Sequence, residues 1–186
     1  YDFEGHTMDD YRRFIGNGLR ILVTRALPLA GRSDVIVRQC VQRAREIYWE
    51  NWNRKTRPYE GINDLVNDLE KKGVAMAVLS NKPHDFTVRY VEAYFDRRAF
   101  HPVMGQNDDF PAKPDPTSAL YIAREIGLPP SRFLFVGDSA VDMQTAAAAG
   151  MHAVGAAWGF RGPRELEAGG CRTLVRHPKE ILRLIE

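Results

Sequence analysis

From residue 74 onward, the chain alternates short apolar runs with longer amphipathic ones. The runs VAMAVLS, PVMGQ, RFLFVGD, HAVGAAW and RTLVR have the length of β-strands, and a helical pattern follows each of them. Strands that are apolar nearly throughout are typical of parallel sheets covered by helices on both faces. This alternation predicts an α/β fold with a Rossmann-like parallel sheet.

The residues before this sheet predict helices and no strand. The run MDDYRRFIGNG begins at a pattern similar to a capping box, Thr7 with Asp10, and LRILVTRAL gives a second short helix. Asp34 can cap a long amphipathic helix, VIVRQCVQRAREIYWENW, whose apolar residues recur at helical spacing. We therefore expect residues 6–58 to form an N-terminal helical domain and residues 59–186 to form the α/β domain.

Composition argues against several functional classes. The 186 residues carry a net charge of only +2 without a block of Lys and Arg, so no binding to nucleic acid is expected. No apolar run approaches the ~18 residues of a membrane span, so no membrane association is expected. Cys40 and Cys171 lie far apart, which predicts reduced thiols in a cytoplasmic protein. Tyr48, Trp49 and Trp52 favour packing between the two domains over a subunit contact, and a monomer or homodimer is expected.

Polar residues follow two of the predicted strands and occupy one loop between them. Ser80 and Asn81 end the run VAMAVLSN, and Asp138 and Asp142 follow FLFVG. Lys113 lies in the proline-rich loop DDFPAKPDP. Because ligands of open α/β sheets bind outside the carboxyl ends of the strands, we expect these side chains to share one pocket.

The residue types at these positions suit phosphate chemistry. The Ser80 hydroxyl and the N–H groups after it can donate to phosphate oxygens, and Lys113 can neutralise the charge that develops during transfer. Asp138 is a hard oxygen ligand of the kind that Mg²⁺ takes. Asp142, one turn into the next helix, could orient a metal-bound water or Lys113. Each residue alone is ordinary, so the combination carries the prediction.

At these positions the sequence resembles the haloacid dehalogenase (HAD) superfamily of hydrolases. Ser80 is similar to its second motif, Lys113 to its third and GDSAVD to its fourth. Within the superfamily the chain resembles the phosphoglycolate phosphatase group. YRRFIGNGLRILVTRALP and RPYEGI are similar to that group's helical cap and its return to the core, and NDDFPAKPDP and FVGDSAVDMQTAAAAGM are similar to its core. The resemblance implies a HAD-like core with an N-terminal helical cap.

The resemblance also implies an activity. Members of this group use Mg²⁺ to hydrolyse small phosphorylated metabolites through a phosphoaspartate intermediate, and 2-phosphoglycolate is the substrate expected here. The implied site residues are Ser80, Asn81, Lys113 and Asp142 for catalysis, Asp138 for the metal, and Asn17 and Gly18 for the non-phosphate end of the substrate.

One motif of the family is not found in this sequence. The first motif, Asp-x-Asp-Gly-Thr after an apolar strand, supplies the nucleophile. The stretch from Asp2 to Thr7, DFEGHT, is only superficially similar, because no apolar strand precedes it and Glu4 stands where the second Asp belongs. The resemblance therefore implies that the first core strand and the nucleophile lie upstream of residue 1, and the chain as printed is expected to be inactive. That strand would lie between those ending at Ser80 and Asp138, where its absence would leave two inner edges unpaired.

Three other functions stay open. A carbon–halogen hydrolase of the same superfamily needs no metal, and chloride release without Mg²⁺ would identify it. A sugar-phosphate mutase would isomerise its substrate without net phosphate release. A non-catalytic protein that lacks the nucleophile would bind a phosphorylated ligand or a partner without turnover.

Overall fold

The computed structural model describes residues 3–96 and 98–185. Helices come first, and strands then alternate with helices, as the sequence predicts. Their bounds are α1 Met8–Phe14, α2 Leu19–Ala26, α3 Asp34–Asn51, α4 Ile62–Lys71, β1 Val78–Pro83, α5 His84–Tyr94, β2 Val103–Gln106, α6 Thr117–Ile126, β3 Leu134–Gly137, α7 Ala140–Ala149, β4 His152–Ala156, α8 Pro163–Ala168 and β5 Thr173–Val175. Across the described residues, no helix combines the length and apolar character needed to span a bilayer.

Helices α1–α3, which we call the cap, form a small helical unit of their own. The capping box at α1 is confirmed, because Thr7 and Asp10 exchange hydrogen bonds between side chain and backbone. Helix α3 begins differently from the prediction, since the Ser33 hydroxyl rather than Asp34 accepts from an amide of the first turn. The cap is held together by a small apolar cluster whose buried members are Val23, Leu27 and Val37.

The strands are parallel, as predicted, but they form two sheets. Strand β1 pairs with β2, and β3, β4 and β5 pair in that order. Two apolar clusters cover the three-stranded sheet. One is built mainly from small side chains of α6 and α7 with Met143 and Leu166, and the other from Leu65 and Leu69 of α4 with Val154.

Two elements differ in extent from the prediction. Strand β1 begins at Val78 instead of residue 74 and continues to Pro83, so Ser80 and Asn81 lie within the strand. Residues 74–77 are not assigned to the strand, although the His101 amide donates to the Met76 carbonyl. The C-terminal segment Pro178–Leu184 is a 3₁₀-helix, where a longer α-helix was expected.

The two sheets are separated by an apolar cavity of about 850 Å³, which we call the strand slot. Residues 74–77 with Leu79 form one wall and residues 133–136 form the other, and α4 and α6 contribute the remaining apolar side chains. Val136 of β3 is 41% exposed here, although central strands normally bury such side chains. The slot therefore lies between the edges of β1 and β3, which pair with no strand among the described residues and which we call the free edges.

Aromatic residues join the end of the cap to the α/β domain. The rings of Tyr48 and Phe86 lie 4.8 Å apart, and those of Trp52 and Tyr90 lie 5.0 Å apart, measured between centroids. The Arg89 guanidinium lies 4.1 Å from the centroid of Trp49. This junction between α3 and α5 is the domain packing that the sequence favoured for these aromatics.

Lys82 is buried in the same junction. Its ammonium donates to Tyr48 Oη at 2.5 Å and lies 4.7 Å from the ring centroids of Tyr48 and Tyr90. Burial lowers the pKa of Lys82 to about 8 from its ordinary 10.5, because the charged form loses its hydration.

Replacing Lys82 with methionine is expected to stabilise the fold near neutral pH by about 1–2 kcal/mol. The folded pKa lies below the unfolded value of 10.5, so the wild type loses stability as the pH falls from 10.5 to about 8. Methionine carries no charge, so it removes this loss. The difference in free energy of unfolding between the variant and the wild type should reach its full value below about pH 8 and vanish above pH 10.5. Urea unfolding across this range checks the prediction, with exposed Lys55→Met as the control. A pH-independent difference would contradict it.

Candidate active site

Lys113 is the centre of the candidate site. Its ammonium pairs with Asp142 Oδ1 at 2.7 Å and donates to the Leu79 carbonyl at 3.0 Å. The side chains of Lys113 and Asp142 are 10% and 9% exposed, so this is a buried ion pair. The lysine thereby connects β1, beside Ser80, with the first turn of α7, and the structure brings these predicted site residues together.

Asp142 holds Lys113 and also caps α7. Its Oδ2 accepts from the Ser139 amide at 3.1 Å and from the Ser139 hydroxyl at 2.6 Å. The fit is close, because a Cβ on Gly137 would lie only 2.2 Å from Asp142 Cβ. Both oxygens accept contacts within the protein, so Asp142 is placed to orient the ammonium of Lys113.

The side chain of Asn81 is hydrogen-bonded to backbone groups. Its Oδ1 accepts from the Lys113 amide at 2.8 Å, and its Nδ2 donates to the carbonyls of Lys113 and Gly16, each at 3.0 Å. Asn81 is 6% exposed. These contacts fix the loop that carries Lys113, and a direct role of Asn81 in catalysis stays a prediction.

Ser80 lies in β1, one residue after the backbone carbonyl that accepts from Lys113. The hydroxyl of Ser80 accepts from the Lys82 amide at 3.1 Å. No acceptor among the described residues takes its proton, so it can donate to a ligand. The carbonyl that holds Lys113 belongs to the preceding residue, Leu79. A phosphate oxygen bound here would therefore meet a hydroxyl and a cation from neighbouring positions.

Asp138 lies at the end of β3 and is held by the loop that follows β4. Its Oδ2 accepts from the Phe160 amide at 3.0 Å, and a Cβ on Gly159 would lie 2.2 Å from Asp138 Cβ. Partial burial, and then the negative charge of Asp138, raise the pKa of Tyr59. Sequence reasoning missed Tyr59, Gly159 and Phe160, although WGFRG follows a strand at its ligand-binding end.

Asp138 could supply one of the ligands of a divalent cation. Its Oδ1 accepts no hydrogen bond from the described residues, and carboxylate oxygen is the ligand type that Mg²⁺ prefers. Within the described ranges, no cluster of three acidic, His or Cys side chains could hold a metal. Because Mg²⁺ usually binds one or two carboxylates and several waters, Asp138 fits as one of its ligands.

Asn17 and Gly18, the two cap residues predicted to contact the substrate, have different surroundings. Asn17 Oδ1 accepts from Arg25 at 3.0 Å, so this amide stabilises the cap itself. Gly18 faces the α/β domain, where a Cβ would lie 2.5 Å from Gln106 Oε1 and 3.5 Å from the Asn81 carbonyl. Its φ of +91° also favours glycine. Asp2, the start of the superficial motif, lies outside the described residues.

The chain is similar to known proteins in sequence and in fold. A phosphoglycolate phosphatase from Pseudomonas putida is 33% identical over 165 residues, covering 87% of this chain and 60% of that protein. The chain thus spans less than two thirds of this relative's length. A crystal structure of a predicted phosphoglycolate phosphatase from Haemophilus somnus gives a TM-score of 0.91 at 24% identity, covering 100% of this chain and 85% of that one.

The fold alone does not determine the reaction. The structure of a β-phosphoglucomutase from Clostridium difficile also matches, with a TM-score of 0.78 at 14% identity over 95% of this chain and 79% of that one. The family rests on more than the fold, since residues 1–156 match the haloacid dehalogenase-like hydrolases as a sequence family. Ser80, Lys113 and Asp138 lie within the matched residues, and the chain belongs to the haloacid dehalogenase-like hydrolase family.

Proposed function

We propose that the complete protein is a Mg²⁺-dependent phosphatase of small phosphorylated metabolites, with 2-phosphoglycolate as its expected substrate. The observation that carries this proposal is the buried pair of Lys113 and Asp142 beside Ser80. A cation buried at the carboxyl end of a parallel strand suits an anionic ligand. The phosphoglycolate phosphatases among the relatives support the substrate.

Each side chain would have a defined task. Lys113 would neutralise the phosphoryl oxygens, and Ser80 would donate a hydrogen bond to one of them. Asp142 would keep the ammonium of Lys113 aimed at the phosphate. Asp138 would provide one carboxylate ligand for Mg²⁺, which when bound stabilises the negative charge of phosphoryl transfer.

The strand slot suggests where the nucleophile enters. We propose that the active protein contains a further strand, apolar on both faces, which pairs with the free edges of β1 and β3. Its carboxyl end would emerge between Ser80 and Asp138, beside the ammonium of Lys113. A carboxylate at that point could attack phosphorus and expel the alcohol, and water would then hydrolyse the acyl phosphate.

Product analysis tests the proposed function. The complete protein is expected to release phosphate from 2-phosphoglycolate faster than from other phosphate esters, and chelation of Mg²⁺ should stop the release. Chloride release from a haloacid in the presence of chelator would indicate a dehalogenase instead. An isomerised sugar phosphate without free phosphate would indicate a mutase, and ligand binding without any product would indicate a non-catalytic protein.

Substituting Gly159 with alanine is expected to raise the Mg²⁺ concentration needed for half-maximal phosphate release by about tenfold or more. A methyl group there would occupy the space of the Asp138 carboxylate, which would have to move. Gly162→Ala is the matched control in the same loop, because nothing lies within 4 Å of a Cβ at Gly162. Equal Mg²⁺ dependence in both variants would contradict the assignment of Asp138 to the metal.

A further inference from the structure

Arg161 of the α/β domain binds residues 13–18 of the cap, which we call the cap segment. Nη2 of Arg161 donates to the carbonyls of Arg13 and Ile15, each at 3.2 Å. These carbonyls belong to the C-terminal end of α1, where intrahelical donors run out and a cation is favourable. The Arg161 Nε lies 3.5 Å from Glu165 Oε1, which steadies the guanidinium.

Asn81 of β1 contacts the same segment. Its Nδ2 donates to the Gly16 carbonyl while the remainder of its amide holds the backbone of Lys113. Next to this contact, a Cβ on Gly18 would lie 2.5 Å from Gln106 Oε1, so Gln106 would have to move to admit a side chain. The cap segment therefore makes polar contacts with β1 and with the loop after β4.

Within the cap segment, Phe14 packs on His6 and Tyr11 of the cap, whereas Ile15 and Gly16 are exposed. Ile15 is 41% exposed, and a Cβ on Gly16 would meet nothing within 4 Å. The far end of the cap is anchored differently, by the aromatic junction of α3 and α5. Arg161 and Asn81 therefore supply hydrogen bonds that fix the cap segment to the α/β domain.

Each of these two contacts also reaches a group assigned to the chemistry. Asn81 binds the amide and the carbonyl of Lys113. Arg161 directly follows Phe160, whose amide holds Asp138. We propose that Asn81 and Arg161 are positioning residues that couple docking of the cap segment to the placement of Lys113 and Asp138. The proposal rests on the function proposed above, and it assigns neither residue a contact with the reacting atoms.

Amide hydrogen exchange of the 186-residue chain tests the coupling without requiring turnover. Arg161→Met is expected to speed exchange about tenfold in the cap segment, because hydrogen bonds from a charged donor are lost. The coupling predicts that the Lys113 amide, which Asn81 holds, also exchanges faster. Arg164→Met, at an exposed arginine of α8, should change neither, and residues 140–156 should keep their protection in both variants.

Two results would overturn the proposal. One is unchanged exchange at the Lys113 amide while the cap segment exchanges faster, since the two would then be independent. The other is equal acceleration in residues 140–156, which would indicate general destabilisation.

Kinetics of the complete protein give a second readout. Arg161→Met should lower kcat/KM about tenfold, and Arg161→Lys, which keeps a cation, should recover part of it. Full kcat/KM in Arg161→Met would oppose the coupling. An inactive wild type would instead count against the proposed phosphatase, and the exchange result would still stand.

Discussion

Replacing Lys113 with methionine is expected to destabilise the fold by about 3–5 kcal/mol and to abolish phosphate release by the complete protein. The substitution would leave the carboxylate of Asp142, 9% exposed, without its cation. Methionine fills a similar volume, so the loss would come from the charge and not from a cavity. Urea unfolding of the chain measures the first effect, and a phosphate assay measures the second.

A double variant separates the two effects. In Lys113→Met with Asp142→Asn, neither member of the former ion pair carries a charge, and the asparagine oxygen can still accept from the Ser139 amide. We expect most of the stability to return while activity stays absent, since no ammonium would face the phosphate. If activity returned together with stability, the role of Lys113 would be structural, and the chemistry proposed for it would be wrong.

The second large effect concerns the strand slot. The complete protein is expected to unfold at a temperature about 10 °C higher than the 186-residue chain, because a strand in the slot would pair two free edges and bury apolar walls. It is also expected to be the only one of the two that releases phosphate. Thermal unfolding and a phosphate assay on both proteins make the comparison.

A substitution at Val136 provides a second test of this prediction. Its side chain is 41% exposed in the slot, so Val136→Lys should change the stability of the 186-residue chain by less than about 0.5 kcal/mol. In the complete protein the added strand would cover this position, and the same substitution should cost several kcal/mol, on the order of an unpaired buried charge. Equal effects in the two proteins would show that no strand occupies the slot.

Local patterns in the sequence predicted most of the fold. Apolar runs gave the parallel strands, because burial on both faces requires them. The Thr7 and Asp10 pair gave the start of α1, because a capping box depends only on residues three apart. The meeting of Lys113 and Asp142 followed from the rule that strand ends converge at one edge of the sheet.

Contacts between distant residues were not predictable in the same way. The bond from Arg161 to the Arg13 carbonyl joins residues 148 positions apart, and no local pattern marks it. The resemblance implies a catalytic Asn81, whereas the amide of Asn81 binds backbone groups of Lys113 and Gly16. Such pairings depend on how the cap meets the α/β domain, which is a property of the folded chain as a whole.

The rate of phosphate release from 2-phosphoglycolate by the complete protein carrying Asp138→Asn, measured across a Mg²⁺ titration, tests the central claim most directly. Asparagine keeps the shape of the side chain and its bond from the Phe160 amide but removes the charge that a divalent cation needs. Convergence of Ser80, Lys113 and Asp138 on one metal-assisted phosphate site predicts a loss of about 10²–10³-fold. A wild-type rate with unchanged Mg²⁺ dependence would contradict it.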